Sequence, residues 1–325
     1  MVTMETIAAL AGVSVSTVSN VLNGRSNVGQ ATRERVLEIC KEQGYQLSTQ
    51  TRKERSSKAN RILFVFQDFD RDFYLKIIHG ISDYLTENGY DLVICTNRSS
   101  TSFMRSSFAG GAICLDGSMT DEDVLAAATP EFPIVVMDRI IEDEKANVKS
   151  VVVNNYPVMC EMVQTLVEMG MKRFGFLGGQ EHTLDNKERY AGLTDTLAKN
   201  NLTFDRKYYY HGNYREQSGY QAAKIMALGP DLPEALICAN DNMAIGAIKA
   251  FEESGIRVPG QIAVTGFDDS ETADMAGLTT VSIPRYESGY LAARELLEMI
   301  KGQALTQPFK LNASVTWRQT TPDNS

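Results

Sequence analysis

Asn20 carries a side-chain amide whose donor and acceptor match N7 and N6 of adenine, respectively. Val15 and Ser16 beside it offer a methyl-sized apolar contact for thymine and an adaptable hydroxyl. All three lie in VSVSTVSNVLNGRSNV, residues 13–28. A second set of reactive types stands farther along the chain. Asn240 in ICAND and Asp268 in VTGFDD each follow an apolar run, and such groups at a cleft edge take paired hydrogen bonds from vicinal hydroxyls. Arg139, after PIVVMD, is a donor for hydroxyls or a carboxylate, or else half of a surface ion pair with Asp138 or Glu142. Phe73 and Tyr74 supply rings that stack on a sugar or a base, or pack as core. Asp241 and Asp269 compete with their neighbours, since either can cap the following helix instead.

These groups need elements to hold them. The alternation in residues 13–28 resembles a strand, but Val18, Val21 and Leu22 fall on one face only at helical spacing, with Ser14 as cap and Asn23-Gly24 as stop. Before it, Ile7, Leu10 and Ala11 follow a Thr3 cap and end at Gly12. After it, Val36, Ile39 and Cys40 mark a third helix from about Gln30 to Gln43. Three short helices, the first two joined by a tight turn, make a helix-turn-helix unit. In such a unit the second helix enters the major groove by its N-terminus, so Val15, Ser16 and Asn20 meet base edges. Ser14 and Thr17, with Asn23 and Arg25, meet phosphate. Ser14 serving only as a cap, and Asn20 exposed and idle, are the plain alternatives.

Charge points the same way. The first 61 residues hold nine Lys and Arg against five acids, or +4, while the 325-residue chain is −9, which leaves −13 on the rest. A basic end on an acidic body suits a polyanion partner at that end. Residues 47–61, LSTQTRKERSSKANR, read as a polar basic linker, with Arg52, Lys53 and Arg55 placed to track a phosphate backbone with steep salt dependence.

From Arg61 onward short apolar runs alternate with amphipathic helices, RILFVFQD through PIVVMDR and then VVVNN through QIAVTGFDD. That alternation predicts two tandem open α/β units with parallel sheets and a cleft at the carboxyl ends of their strands. The stretch between Thr96 and Gly110 leaves room only for a short helix. Five cysteines lack CxxC spacing and read as reduced thiols. Three histidines, with no GxSxG or GxxxxGK[ST], argue against an enzyme, so no catalytic residue, metal or cofactor is expected. No run of about 18 apolar residues occurs, and a cytoplasmic location is expected.

The motifs together resemble the lactose-repressor (LacI/GalR) family of bacterial transcription regulators. The likeness runs through Ile7-Ala8, Ala11-Gly12-Val13-Ser14, Thr17-Val18-Ser19, Val21-Leu22-Asn23, Thr32-Arg33, Arg35-Val36 and Gly44-Tyr45, then PIVVMDR, ANDNMAIGAI, VPGQIAVTGFDD and LTTVSIP. The resemblance implies an α/β fold with a helix-turn-helix headpiece at 1–46, a linker at 47–61, and two periplasmic-binding-protein-like subdomains. These comprise 62–155 with about 284–311, and about 156–283 with 312–321. It implies a homodimer on palindromic double-stranded DNA and a small effector, a sugar or alternatively a purine or nucleoside. For the cleft it favours Asp268 and Arg189 over Lys187, and puts Tyr214 in the place of a stacking aromatic.

Two departures stand out. Asn20 replaces an Arg common in the family, and Leu47, Ser48, Thr51 and Glu54 replace the linker's Pro-Asn pair, small residue and wedging Leu. A carboxylate at the wedge position predicts a linker without the usual intercalation. The rival readings are a sugar-binding transport component, which has no use for residues 3–45, and a regulator whose DNA binding has decayed.

Overall fold

A computed structural model describes residues 3–22, 28–43, 60–67, 73–96, 99–106, 108–142, 147–303 and 308–322. Asn23, Arg25, Arg52, Lys53, Arg55 and the linker positions Leu47, Ser48, Thr51 and Glu54 lie outside the described residues. The chain divides into two compact units, Met1–Arg61 and Ile62–Ser325.

The first unit holds α1 (Met4–Ala11), α2 (Val15–Leu22) and α3 (Gln30–Glu42). Thr3 caps α1 in a reciprocal box with Thr6, and Gly12 ends it in the left-handed conformation, at φ 66°, that a residue without Cβ adopts freely. The turn redirects the chain, and α1 and α2 meet at 103°, within the range of a helix-turn-helix. The core is Ile7, Ala8, Ala11, Val18, Val21, Val36 and Cys40. Leu10, expected on the apolar face of α1, is 53% exposed instead. Ala8, one turn from Ala11 on the buried side, takes the inward place.

In the second unit, β1 (Arg61–Phe66), β2 (Asp91–Thr96), β3 (Gly111–Leu115), β4 (Ile134–Val136), β5 (Val148–Val153) and the late strand β11 (Phe309–Leu311) form a sheet of order β2-β1-β3-β4-β5-β11. The pairs β1–β3, β3–β4, β4–β5 and β5–β11 are parallel. α4 (Phe73–Glu87), α5 (Ser99–Met104), α6 (Asp121–Ala127) and α12 (Arg285–Ile300) belong to it. α5 has six residues, the short helix the sequence allows. Apolar clusters cover both faces of this sheet, which is why its strands read as unbroken Val, Ile and Phe runs.

The second sheet has order β7-β6-β8-β9, from β6 (Phe174–Gly178), β7 (Tyr209–His211), β8 (Ala235–Cys238) and β9 (Ala263–Thr265), all in parallel pairs. With it go α7 (Asn155–Glu168), α8 (Leu184–Lys199), α9 (Glu216–Ala227), α10 (Asp241–Glu253) and α11 (Glu271–Met275). An antiparallel pair, β10 (Thr280–Ser282) with β12 (Ser314–Thr316), completes it. α8 begins three residues before Lys187, with Thr183 in extended conformation as its N-cap. The chain passes between the two halves after β5, after β10 and between β11 and β12. In both sheets the strand order reverses beside the first strand of the half, β1 or β6, and a crevice opens at the carboxyl ends at such points.

Among the described residues no single helix is long and apolar enough to cross a membrane. The five cysteines are free thiols.

Candidate functional site

A cavity of about 310 Å³ lies at the carboxyl ends of both sheets. Its walls come from residues just past each strand: Gln67 after β1, Gly117 after β3, Arg139 after β4, Gln180 after β6, Tyr214 after β7, Asn240 after β8 and Asp268 after β9. Arg285, the first residue of α12, and Asn155, the first of α7, enter from the crossovers. Phe73, Tyr74, Arg139, Arg189, Tyr214, Asn240 and Asp268, all singled out in the sequence, line it together.

Lys187 does not line it. It is exposed, and two residues along a helix turn its side chain roughly 200° from Arg189, so the two cannot share a wall. Arg189 is 4% exposed, and its guanidinium is fixed by Asn155 Oδ1 (3.1 and 3.0 Å), by the carbonyl of Ala239 and by the Phe267 ring 3.6 Å below it. Asp185, one turn earlier, lies 3.6 Å from it. Burial acts to raise the Asp185 carboxyl, but the Arg189 charge and hydrogen bonds from Thr183 and Tyr214 hold it below its ordinary value.

Asn240 both borders the cavity and takes the cap of α10, the role for which the sequence offered Asp241 as an alternative. Asn240 caps α10, accepting from the Met243 amide at 3.1 Å and donating to the Tyr214 carbonyl at 2.9 Å. Both ends of its amide are therefore engaged even though it borders the cavity. Asp241 is buried away from the cavity lining. Tyr74 is 4% exposed and packed between Phe66 and Phe73, so it forms the floor instead of a free stacking face. The Phe73 ring carries the Arg285 guanidinium at 4.3 Å. Tyr214, at φ 67°, donates its hydroxyl to Asp185 at 3.0 Å, and burial together with the Asp185 charge pushes that phenol up.

Arg139 pairs at 2.7 Å with Asp138, one of the two partners offered as its alternative role, and also at 2.6 Å with Asp121, which the sequence did not suggest, and it donates to the Met119 carbonyl at 2.8 Å. It lines the cavity with its donors committed. Arg285 is paired with Asp268. Among the described residues two buried polar atoms of the lining, Asp138 Oδ1 and Arg285 Nε, lack a hydrogen-bond partner. Burial raises the Asp138 carboxyl despite Arg139.

Sequence reasoning missed Arg285, Asn155 and Asp185. Asp185 was the most accessible of these, standing one helical turn before Arg189.

In the headpiece, Val15 is 39% exposed, Ser16 exposed and Asn20 half-exposed, while Val18 and Val21 are buried. Ser14 Oγ accepts from the Thr17 amide at 3.1 Å and meets the hydroxyls of Ser16 (2.7 Å) and Thr17 (2.8 Å), so the cap role is filled.

Residues 3–48 match the lacI family of bacterial regulatory proteins, and residues 163–321 match a periplasmic binding protein-like domain. The HTH-type transcriptional regulator CelR of Thermobifida fusca is 31% identical over 95% of this chain and 94% of its own. The chain belongs to the lacI family. Catabolite control protein A of Priestia megaterium is 27% identical to this lacI-family member, covering 98% of this chain and 99% of that protein. Among solved structures, a transcriptional regulator CelR–cellobiose complex superposes with a TM-score of 0.72 at 28% identity. A lac repressor dimer bound to operator and the anti-inducer ONPF does so with 0.73 at 26%, each over 98% of this chain and 99% of the other.

Proposed function

We propose that this lacI-family member is a ligand-responsive repressor that reads palindromic DNA as a homodimer and binds a neutral polyhydroxylated effector, a sugar, in the cavity between its two sheets. It acts in the cytoplasm and is not an enzyme. The observation that carries the effector class is the balance of the lining. Asp121, Asp138, Asp185 and Asp268 face Arg139, Arg189 and Arg285, and each guanidinium has a carboxylate within 3.6 Å. Among the described lining residues none of the three guanidiniums stands open to neutralise a phosphate or carboxylate, whereas hydroxyls both donate and accept and so serve Asp138 Oδ1 and Arg285 Nε alike.

On this reading Asp268, Asp138 Oδ1 and Arg285 Nε engage effector hydroxyls, Arg189, Arg139 and Asn240, committed to neighbouring groups, shape the polar wall that the effector meets, and Phe73 and Tyr214 cover an apolar ring face. A purine effector is the second reading, favoured by those same two rings. Val15, Ser16 and Asn20 read bases, and Ser14, Thr17, Asn23, Arg25 and the linker's Arg52, Lys53 and Arg55 grip phosphate. Effector binding shifts the two halves, and that shift is coupled to operator affinity. The likeness to the CelR–cellobiose complex supports the sugar class, and that to the operator-bound lac repressor dimer supports the DNA partner and the dimer. Selection of bound sequences from random DNA at low salt, repeated with D-glucose, D-galactose, D-ribose, cellobiose and adenosine, tests it. A palindromic site that one sugar releases or tightens is expected, and no enriched site under any condition rejects it.

A further inference from the structure

Asp241 opens α10 and is 1% exposed. Both of its oxygens are engaged by the loop on the far side of β9. Oδ2 accepts from the Ser270 amide at 2.8 Å and Oδ1 from the Thr280 hydroxyl at 2.5 Å. Directly before the Ser270 anchor lie Asp268 at φ 119° and Asp269 at φ 53°, two successive side-chain-bearing residues in the left-handed half of backbone space. Each such residue carries backbone strain and persists only when its surroundings fix it. The Asp268 amide is held by the Val281 carbonyl at 2.9 Å, and the Asp269 amide reaches Thr280 Oγ1 at 3.4 Å. Asp241 closes this circuit by holding Thr280 and Ser270 together. The sequence leaves space for it, since a Cβ on Gly266 would stand 2.2 Å from Asp241 Oδ1.

We propose that Asp241 is a positioning residue of the effector site, its carboxylate pinning the Ser270 amide and the Thr280 hydroxyl so that Asp268 is held in the left-handed conformation that presents it to Arg285 and the cavity. This rests on the effector reading of the cleft. The charged and titratable groups around Asp241 are Asp268, itself paired with Arg285; Asp269, held by Arg318 at 2.8 Å; Arg189 over Phe267; and Cys238 at the end of β8. Asp241 is thus set among fixed neighbours and does not form an ion pair with any of them among the described residues.

The test is hydrogen exchange of the full chain, read on peptides spanning 266–272 and on β6 and β8. Asp241→Ala is expected to speed exchange of the turn at least about tenfold and leave both strands unchanged, as local opening does. Asp241→Asn keeps an acceptor for Ser270 and is expected to restore protection to within about threefold. Gly266→Ala, which drives a methyl into the carboxylate while Asp241 remains, reproduces the local loss and serves if Asp241→Ala does not fold. A turn that stays protected in both Asp241→Ala and Gly266→Ala overturns the proposal. So does a loss shared equally by β6 and β8, or an Asn variant that opens as the Ala variant does. Asp268→Ala separates the two claims. Its turn stays protected, and an unchanged response to the five-compound panel in that variant counts against the effector reading alone.

Discussion

The carboxylate of Asp268, on the loop after β9, is bonded to the guanidinium of Arg285 at the head of α12. Asp268 belongs to the second sheet's edge, and α12 packs against α4 and the first sheet. The pair therefore ties the two walls of the cavity beside the β10 crossover. An effector hydroxyl that engages Asp268 shares its carboxylate with Arg285, so binding and the relation between the walls are linked through one group.

Arg285→Ala is expected to weaken effector binding by at least about tenfold, or ~1.4 kcal/mol, by leaving Asp268 without its partner. Calorimetry with whichever of the five panel compounds gives a binding heat measures it. An unchanged affinity removes Arg285 from the site.

Lys149 on β5 and Glu295 on α12 form an ion pair that is 7% and 4% exposed at the side chains. Burial acts to raise the Glu295 carboxyl, but hydrogen bonds from Lys149 and Arg294 hold it below its ordinary value. Lys149→Met leaves the buried carboxylate to Arg294 alone, with Oε2 unpartnered, and is expected to cost about 1–3 kcal/mol, while Lys149→Met with Glu295→Leu recovers most of it. Urea unfolding of the two variants at pH 7 checks the contrast. Because the folded value is depressed, the stabilisation from Glu295 is present above its unfolded value near 4.5 and is lost as pH falls through the folded one.

Asp241 shifts the other way. Burial first, and then the Asp268 charge, push it up to about 7. A raised carboxyl favours the folded state in its protonated form, a contribution that is complete below the unfolded value of 3.8 and lost as pH rises through about 7. Wild-type stability is therefore expected to fall relative to Asp241→Asn between pH 5 and 8, measured as Tm across that range. Parallel curves would contradict it.

Replacing Asn20 with Arg is expected to move preference toward guanine at one symmetric operator position, a discrimination of about 1–3 kcal/mol. Selected sites sequenced for both proteins decide it, and an unchanged site excludes Asn20 from base reading.

Much of this arrangement was legible because it rests on local rules. The Ser14 cap and the Val18 and Val21 spacing are contained within eight residues, and the alternation of strands and helices places Asn240, Tyr214 and Asp268 past strand ends without any tertiary information. Arg285 was not legible, since VSIPR reads as a strand followed by a helix start, and only the β10 crossover returns it to Asp268. Asn240 and Asp241 are adjacent carboxamide and carboxylate, equally able to cap; burial beside Ser270 and Thr280 chose between them, and no pattern in the chain encodes that. Leu10 shows the limit of periodicity in a helix of eight residues, where an Ala takes the inward position.

Operator affinity of the wild type and of Asp268→Ala, titrated side by side against D-glucose, D-galactose, D-ribose, cellobiose and adenosine, tests the central claim most directly. The account predicts equal affinity without effector, a change of at least about tenfold by one sugar in the wild type, and no change in the variant. Wild-type binding that none of the compounds moves, or a response that survives in Asp268→Ala, would contradict it.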